Sequence, residues 1–164
     1  MIAQSTSRRG LFALAGSAAV GTLLVGCGGS AVAAGPFEVR KTDAEWTKQL
    51  GPQRFRILRE AGTETPYTSP LNKEHRRGTF TCAGCALPLF SSTTKFDSGT
   101  GWPSFYAPLP KAVAETRDST LGMVRREVHC RRCGGHLGHV FEDGPKPTGL
   151  RYCMNGLSLQ FRAA

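Results

Sequence analysis

Cys82-Ala83-Gly84-Cys85 and Cys130-Arg131-Arg132-Cys133 are two Cys-x-x-Cys pairs, and residues 86–129 lie between them in this 164-residue chain. Each pair can hold two thiolates on one tight turn, and two such turns together supply the four sulfurs of a tetrahedral zinc site. Zinc binding would stabilise a small domain, because the binding free energy becomes folding free energy. The alternative is two disulfides, which form in proteins that leave the cytoplasm. The spacing favours one zinc ion bound by Cys82, Cys85, Cys130 and Cys133.

The composition around these pairs predicts one globular domain with many turns. The chain contains 20 Gly and 10 Pro, with 40% hydrophobic and 20% charged residues. These fractions argue against both a disordered chain and a long helical bundle. The formal net charge is +9, but no run of basic residues is longer than two. We therefore predict a generally basic surface without a nucleic-acid partner, and a monomer, since no segment suggests an obligate interface.

Residues 1–35 have the composition of an export signal followed by a tether. Their only charged residues are Arg8 and Arg9, and the apolar run at 11–25 is too short to span a bilayer permanently. Ser7-Arg8-Arg9-Gly10-Leu11-Phe12 resembles a twin-arginine signal, which is typical of proteins exported after folding. An ordinary secretory signal is the alternative. We predict an export signal and tether at 1–35 and one folded domain at 36–164.

Two cleavage sites compete within this segment. Leu24-Val25-Gly26-Cys27 resembles a bacterial lipobox, in which Cys27 would be lipidated and would anchor the protein to a membrane. Ala31-Val32-Ala33 has the small-x-small pattern of ordinary signal peptidase. The lipobox is the better match, and both sites predict export from the bacterial cytoplasm to the periplasm.

Turn residues divide the rest of the chain into short helical and extended runs. Thr42-Asp43-Ala44-Glu45 has the pattern of a capping box, and Gly51-Pro52 should end the helix that begins there. A second helical run follows at 53–61. Beyond it, extended runs are predicted at 78–82, 87–90, 102–106, 124–129, 137–141 and 150–161. This order predicts an antiparallel β domain behind a helical lead-in.

Cys153 is the one thiol left for chemistry once four cysteines bind zinc and one lies in the export segment. In an extended chain, Arg151, Cys153 and Asn155 share one face. A cation beside the sulfur favours the thiolate, and an amide can hold a polar atom of a substrate. We therefore interpret Cys153 as an active nucleophile. A buried, inert cysteine is the alternative.

A second group of candidate residues precedes this cysteine. In an extended run, His139, Phe141 and Asp143 share a face, which combines an acid–base group, an apolar wall and a carboxylate able to orient the imidazole. His136 and His139 could instead form a metal pair or be two structural histidines. Trp102 lies in a rigid, aromatic loop and could line a pocket or belong to the core.

Five motifs in this order resemble one known family, the B-type methionine sulfoxide reductases, or peptide-methionine (R)-S-oxide reductases. The similarity runs from about residue 41 to residue 161. The motifs are Phe80-Thr81-Cys82-Ala83-Gly84-Cys85, Gly101-Trp102-Pro103-Ser104-Phe105, Glu127-Val128-His129-Cys130, Cys133-Gly134-Gly135-His136-Leu137-Gly138-His139-Val140-Phe141 and Gly149-Leu150-Arg151-Tyr152-Cys153-Met154-Asn155.

The resemblance implies a mainly β, Mss4-like (β-tent) fold of two antiparallel sheets, with short N-terminal helices and a structural zinc ion on the four cysteines. It implies reduction of the R epimer of methionine sulfoxide in proteins or peptides. By matching position, Cys153 is the nucleophile, and Trp102 lines the pocket for the substrate's methyl group beside the wall that Phe141 provides. The polar residues implied around the sulfoxide are His136, His139 and Asn155, with Arg151 and Asp143 in support.

The residues themselves make this chemistry reasonable, with one departure from the family. Thiolate attack by Cys153 and proton donation by His139 would give methionine and a cysteine sulfenic acid. Many family members carry a resolving cysteine where this sequence has Thr100. We therefore predict that an external thiol, such as a thioredoxin-like protein, reduces the sulfenic acid directly.

Two functions of other classes are also compatible with the motifs. One is a zinc-stabilised β module that binds peptides or RNA, and the other is a thiol–disulfide oxidoreductase that uses one Cys-x-x-Cys pair. The thiol between Arg151 and Asn155 favours an enzyme over a binding module, which needs no such sulfur. The two pairs favour metal binding over disulfide exchange.

Overall fold

The structure, a computed structural model, describes residues 37–119 and 124–164. The predicted export signal, both cleavage sites and Cys27 lie outside these residues. Within the part that is described, no helix has both the length and the hydropathy needed to cross a membrane.

A single kinked helix, α1 (Asp43–Arg59), leads into the β domain. Thr42 caps it, since its hydroxyl accepts from the Glu45 amide while the Glu45 carboxylate accepts from the Thr42 amide. The chain leaves helical geometry at Gly51 (φ 70°, ψ 167°) and resumes it from Pro52. The predicted break is confirmed, and the two predicted helices are the two arms of α1.

In the part of the chain that the structure describes, nine strands form two antiparallel sheets. Three strands make the smaller sheet in the order β2-β1-β9, and six make the larger in the order β3-β4-β8-β7-β6-β5. The mainly β, two-sheet architecture is therefore as predicted. The strands are β1 (Gly78–Cys82), β2 (Pro88–Ser91), β3 (Lys95–Phe96), β4 (Ser104–Phe105), β5 (Val113–Asp118), β6 (Arg125–Cys130), β7 (His136–Phe141), β8 (Arg151–Met154) and β9 (Leu159–Ala163).

The structure corrects the predicted strands in four places. The predicted run at 102–106 pairs only over β4, and the run at 150–161 is two strands, β8 and β9, joined by a 3-10 helix at Gly156–Ser158. The short strand β3 was not predicted. Nor was β5, whose sequence Val-Ala-Glu-Thr-Arg-Asp lacks apolar alternation because it forms the solvent-facing edge of the larger sheet.

Aromatic rings join the two sheets into one core. Phe80 of β1 and Phe105 of β4 meet edge to face with 4.9 Å between centroids, and Phe90 of β2 stacks on Phe105 at 4.4 Å. All three side chains are fully buried. Helix α1 adds Trp46, Ile57 and Leu58 to the buried set. Because β4 also pairs with β8, this core fixes the strand that carries Cys153.

Candidate active site and metal centre

The four cysteines of the two Cys-x-x-Cys pairs meet in one cluster. Their sulfurs all lie within 4.8 Å of one another, with Sγ–Sγ distances of 3.7 Å for Cys82 and Cys133 and 3.5 Å for Cys85 and Cys130. Four sulfurs about 2.3 Å from one zinc ion would lie about 3.8 Å apart, so the set fits tetrahedral zinc. A disulfide needs about 2.0 Å, and all four thiols are free. The two-disulfide alternative is therefore wrong.

Three side chains hold the carbonyls of the two turns in place. Gln49 of α1 donates to the Gly84 carbonyl at 2.7 Å, and Arg59 donates to the Cys133 carbonyl at 3.0 Å. Arg132 donates to the Cys85 carbonyl at 3.3 Å, from one turn to the other. Contacts of this kind orient metal ligands and add positive charge near a thiolate cluster. The metal centre thus ties α1 and both sheets together.

Strand pairing places Cys153 in the middle of the larger sheet. On β8, Cys153 lies opposite Ser104 of β4 on one side and His139 of β7 on the other. Gly138 makes this register possible, because a Cβ there would lie 2.1 Å from the Cys153 carbonyl oxygen. The sulfur lies 3.8 Å from the Thr100 hydroxyl. Cys153 is therefore held by backbone ladders on both sides.

A small cavity of about 130 Å³ opens beside this sulfur. Trp102 is half-buried and lines it, so the tryptophan is a wall of the cavity and not only part of the core. The size suits one side chain and not a large cofactor. The residues around it are Thr63, Trp102, Arg125, Gly138, His139, Phe141, Cys153 and Asn155.

Comparisons with known proteins agree on one family. The family model described as the SelR domain matches residues 50–163. Peptide methionine sulfoxide reductase MsrB of Agrobacterium fabrum is 58% identical over 125 residues, which is 76% of this chain and 93% of that protein. The protein of the same name from Leptospira interrogans is 54% identical over 127 residues, 77% of this chain and 97% of its own length. The chain belongs to the MsrB family of peptide methionine sulfoxide reductases. The resemblance seen in the motifs is confirmed, and with it an oxidoreductase family whose four-cysteine site binds zinc.

Asp143 supports the MsrB-family site through Arg151 and not through His139. Its carboxylate accepts two hydrogen bonds from the guanidinium, Nε–Oδ1 at 2.9 Å and Nη2–Oδ2 at 2.8 Å. Arg151 is buried and also stacks on Phe141, 4.4 Å from the ring centroid. The interpretation of Asp143 as the carboxylate that orients the imidazole is therefore wrong. Asp143 instead fixes the cation near Cys153.

Asp118 is the carboxylate that orients His139, and sequence reasoning missed it. The Nε2 atom of His139 lies 2.8 Å from Oδ2 of Asp118. The same oxygen forms an ion pair with Nη2 of Arg125 at 2.7 Å. The pairing of β5, β6 and β7 brings these residues together, and no local spacing in the sequence marks them. A carboxylate accepts and does not donate, so Nε2 carries the proton and Nδ1 is the nitrogen that can take one up.

His136 lies buried beside the cavity and does not line it. The Nδ1 atom of His136 lies 2.7 Å from Oε1 of Glu127, and the rings of His136 and His139 are 5.5 Å apart. Burial acts to raise the pKa of Glu127, but its hydrogen bonds to His136 and Thr116 prevail and lower it. His136 and His139 are therefore paired with different carboxylates, Glu127 and Asp118. Among the described residues, only the four cysteines form a cluster suited to a metal, so the histidine metal pair is not formed.

Asn155 uses both ends of its amide. Its Oδ1 atom accepts from the Glu64 amide at 2.8 Å, and its Nδ2 atom donates to the Leu137 carbonyl at 3.2 Å. The second N–H on Nδ2 is left for a group in the cavity, which Asn155 lines. The side chain is thus fixed in orientation and keeps one donor.

The ionisable pair at the centre of the site rests in its neutral form. Burial raises the pKa of Cys153 and outweighs the opposing effects of the Thr100 hydroxyl and the Arg151 charge. Arg151 does favour the thiolate, as predicted, but not enough to offset desolvation. Burial likewise lowers the pKa of His139, and the charge of Arg125 also lowers it. The hydrogen bond to Asp118 raises this pKa but does not offset the other two effects. At neutral pH the site therefore holds a thiol and an uncharged imidazole.

Hydroxyl groups occupy one side of Cys153. Ser98 bridges Thr100 at 2.8 Å and Ser104 at 2.7 Å between side-chain oxygens. The Thr100 hydroxyl contacts the Cys153 sulfur. The other four cysteines in the described part of the chain all belong to the metal centre. They leave no free Cys-x-x-Cys pair there, which weighs against a thiol–disulfide oxidoreductase.

The structure brings most of the predicted site residues to one place. Cys153, His139, Asn155, Trp102 and Phe141 all line the cavity. Arg151, Asp143 and His136 stand around it through direct contacts with these residues or with each other. The chemical roles assigned to these side chains stay predictions.

Proposed function

We propose that the protein reduces the R epimer of methionine sulfoxide, in proteins and peptides, to methionine, with Cys153 as the nucleophile. One observation carries the proposal: the Cys153 sulfur lies on the wall of a cavity sized for one side chain, together with an acid–base group and two aromatic rings. Family membership supports it, since the relatives are named as peptide methionine sulfoxide reductases.

The cavity can sort the groups of a methionine sulfoxide side chain. Trp102 and Phe141 offer apolar surface for the terminal methyl group. His139 and the free N–H of Asn155 offer polar partners for the sulfoxide oxygen. An apolar wall alone gives only about 1–3 kcal/mol of selectivity, so the choice of epimer rests on where the oxygen finds its donors.

The neutral resting pair supplies both the nucleophile and the proton that the reaction needs. His139 takes the thiol proton at Nδ1, and the Cys153 thiolate attacks the sulfoxide sulfur. The imidazolium then returns that proton to the sulfoxide oxygen. The bond formed between the two sulfurs and the substrate's S–O bond then both break as the protonated oxygen passes to the Cys153 sulfur, so methionine sulfur is reduced by two electrons and cysteine becomes sulfenic acid. Arg151 stabilises the transient thiolate, and Asp143 holds Arg151.

Regeneration requires two thiols from outside the described domain. One external thiol attacks the sulfenic acid, releases water and forms a mixed disulfide, and a second resolves it to restore Cys153 and give a disulfide. Thr100 in place of a resolving cysteine supports this route. A thioredoxin-like protein is the proposed reductant.

Turnover of separate epimers tests the proposed function. We expect dithiothreitol-driven reduction of the R epimer only, abolished in Cys153→Ser with zinc content unchanged. The matched control is Cys27→Ser, the same substitution outside the site, which should retain full activity. Equal turnover of both epimers, or activity that survives in Cys153→Ser, contradicts the proposal.

We further propose that the chain is exported from the bacterial cytoplasm and repairs oxidised methionine in periplasmic proteins. The twin arginines at Arg8 and Arg9, the apolar run after them and the lipobox at Cys27 support this location. Mass spectrometry of the protein from its native host tests it. A diacylglyceryl group on Cys27 or a new N-terminus at Ala34 is expected, and an intact Met1 in the mature protein contradicts export.

A further inference from the structure

We propose that Glu64 is a positioning residue that fixes Trp102 and Asn155 relative to the strand that carries Cys153. The inference rests on the proposed function, since it concerns the cavity that would hold the substrate side chain. Trp102 and Asn155 line that cavity, and Glu64 does not. Nothing in the reaction requires a carboxylate at Glu64, so its burial calls for a structural explanation.

The backbone of Glu64 joins two cavity walls that are far apart in sequence. Its N–H donates to Oδ1 of Asn155 at 2.8 Å, and its carbonyl accepts from the indole N–H of Trp102 at 2.9 Å. One peptide segment therefore sets where the aromatic wall and the amide stand relative to each other. A shift of this segment would move both groups at once.

The side chain of Glu64 ties this segment to the turn that follows Cys153. Its Oε2 atom accepts from the backbone N–H of Leu157 at 3.1 Å, and the residue is only 8% exposed. A hydrogen bond from a backbone N–H to a buried carboxylate is among the stronger kinds. The carboxylate thus sets the distance between Glu64 and the end of β8.

Close packing removes the freedom that the turn would otherwise have. A Cβ on Gly156 would lie 1.8 Å from the Ser69 hydroxyl and 3.2 Å from Oε2 of Glu64. The turn at Asn155, Gly156 and Leu157 therefore lies directly against the segment from Glu64 to Ser69. The position of Asn155 depends on this contact as well as on its own amide.

The same segment also holds the loop that precedes Trp102. The Tyr67 amide donates to the Gly101 carbonyl at 2.7 Å, and Nδ2 of Asn72 donates to the same oxygen at 2.9 Å. Residues 61–69 contain no helix or strand, so these bonds and not a regular ladder fix their course. Glu64 is the residue of this segment that bonds to both sides of the cavity.

Two substitutions separate the length of the Glu64 side chain from its charge. Glu64→Gln keeps the length and an acceptor oxygen, whereas Glu64→Asp keeps the charge but draws the oxygen away from the Leu157 amide. We expect Glu64→Asp to lower kcat/KM for the R-sulfoxide by about ten- to a hundredfold, mainly through KM, as small misplacements of binding groups do. Glu64→Gln should stay within about threefold of the wild type.

Hydrogen exchange of the Trp102 indole N–H, followed by NMR, measures the hydrogen bond from Trp102 to the Glu64 carbonyl without any turnover. The exchange should accelerate in Glu64→Asp relative to the backbone amides of β8, and stay slow in Glu64→Gln. A residue with a general stabilising role would accelerate both sets of protons together. Glu60→Asp, the same change at an exposed glutamate four residues earlier, is the control and should alter neither KM nor exchange.

The result that overturns the proposal is also specific. Wild-type KM and indole exchange in Glu64→Asp, or equal losses in Glu64→Asp and Glu64→Gln, would rule out a length-dependent acceptor. If the wild-type protein reduced no methionine sulfoxide, the proposed function would fail, while the indole exchange would still test the positioning role by itself.

Discussion

The Thr100 hydroxyl lies 3.8 Å from the Cys153 sulfur. A sulfur at position 100 would have to approach the Cys153 sulfur by about 1.8 Å to reach the roughly 2.0 Å of a disulfide. The hydroxyl cannot form that bond. It donates a hydrogen bond that lowers the pKa of Cys153, although burial keeps that pKa raised.

Thr100→Cys should therefore change the regeneration route from direct external reduction of Cys153 to formation of an internal disulfide. One equivalent of R-sulfoxide should leave this variant with a disulfide between positions 100 and 153, detected as a 100–153 cross-linked peptide by mass spectrometry. The wild type should show no such peptide and a sulfenic acid trapped by dimedone. Thr47→Cys, the same change on the exposed face of α1, serves as the control. A disulfide to Cys153 in the once-oxidised wild type would contradict direct external reduction.

The pH dependence of Cys153 alkylation should show a resting thiol. Because burial raises the pKa of Cys153, the iodoacetamide reaction of the zinc-loaded free protein should rise at a pH above the ordinary cysteine range, near 8.5. Arg151→Met removes a charge that favours the thiolate, so its alkylation profile should shift to still higher pH. Arg117→Met, at an exposed site on β5, should not shift the profile. An alkylation midpoint below 8 in the wild type would mean that Arg151 outweighs burial.

Asp118→Asn should disable the acid–base pair without removing any residue of the cavity wall. Asp118 raises the pKa of His139 against burial and Arg125, so its loss should lower that pKa further and leave a weaker base for the thiol proton. We expect kcat/KM to fall by about a hundredfold, within the range of general acid–base catalysis. The His139 titration, followed by NMR, should move to lower pH. A titration that moves up, or an unchanged rate, would contradict this role of Asp118.

The sequence made the metal centre, the antiparallel β domain and the break at Gly51 predictable, because each leaves a local pattern, whereas the division into two sheets was implied by the family resemblance. Cysteine spacing, alternating hydrophobicity and a Gly-Pro pair can all be read without knowing what lies nearby. The partner of His139 could not be found in this way. Asp118 lies on an edge strand with few apolar residues, and it reaches His139 only through the pairing of three strands.

The turn after Cys153 was also not predicted, although the Asn155-Gly156 pair is a turn signal in the sequence. Residues 150–161 read as one extended run, but Asn155 bonds to Glu64 and Leu137 and takes the chain out of the strand. The long-range partners of Asn155 themselves leave no local pattern in the sequence.

Removal of the metal should unfold the domain and not merely inactivate it. Cys130→Ser leaves three ligands, and structural zinc contributes on the order of 10 kcal/mol, comparable with the whole stability of a domain. Zinc analysis and thermal unfolding should show a metal-poor protein without a cooperative transition. Cys153→Ser is the matched control, with full zinc content and an unchanged midpoint. A stably folded, zinc-free Cys130→Ser protein would contradict a structural metal.

The half-buried, uncharged state of Cys153 has a consequence for survival under oxidative stress. Peroxide attacks thiolates far faster than thiols, and over-oxidation to sulfinic acid is irreversible for most proteins. A resting sulfur that stays protonated reacts slowly with peroxide. The oxidants that produce methionine sulfoxide therefore leave this cysteine largely intact. The domain can thus remain competent in an environment where exposed, ionised cysteines are lost.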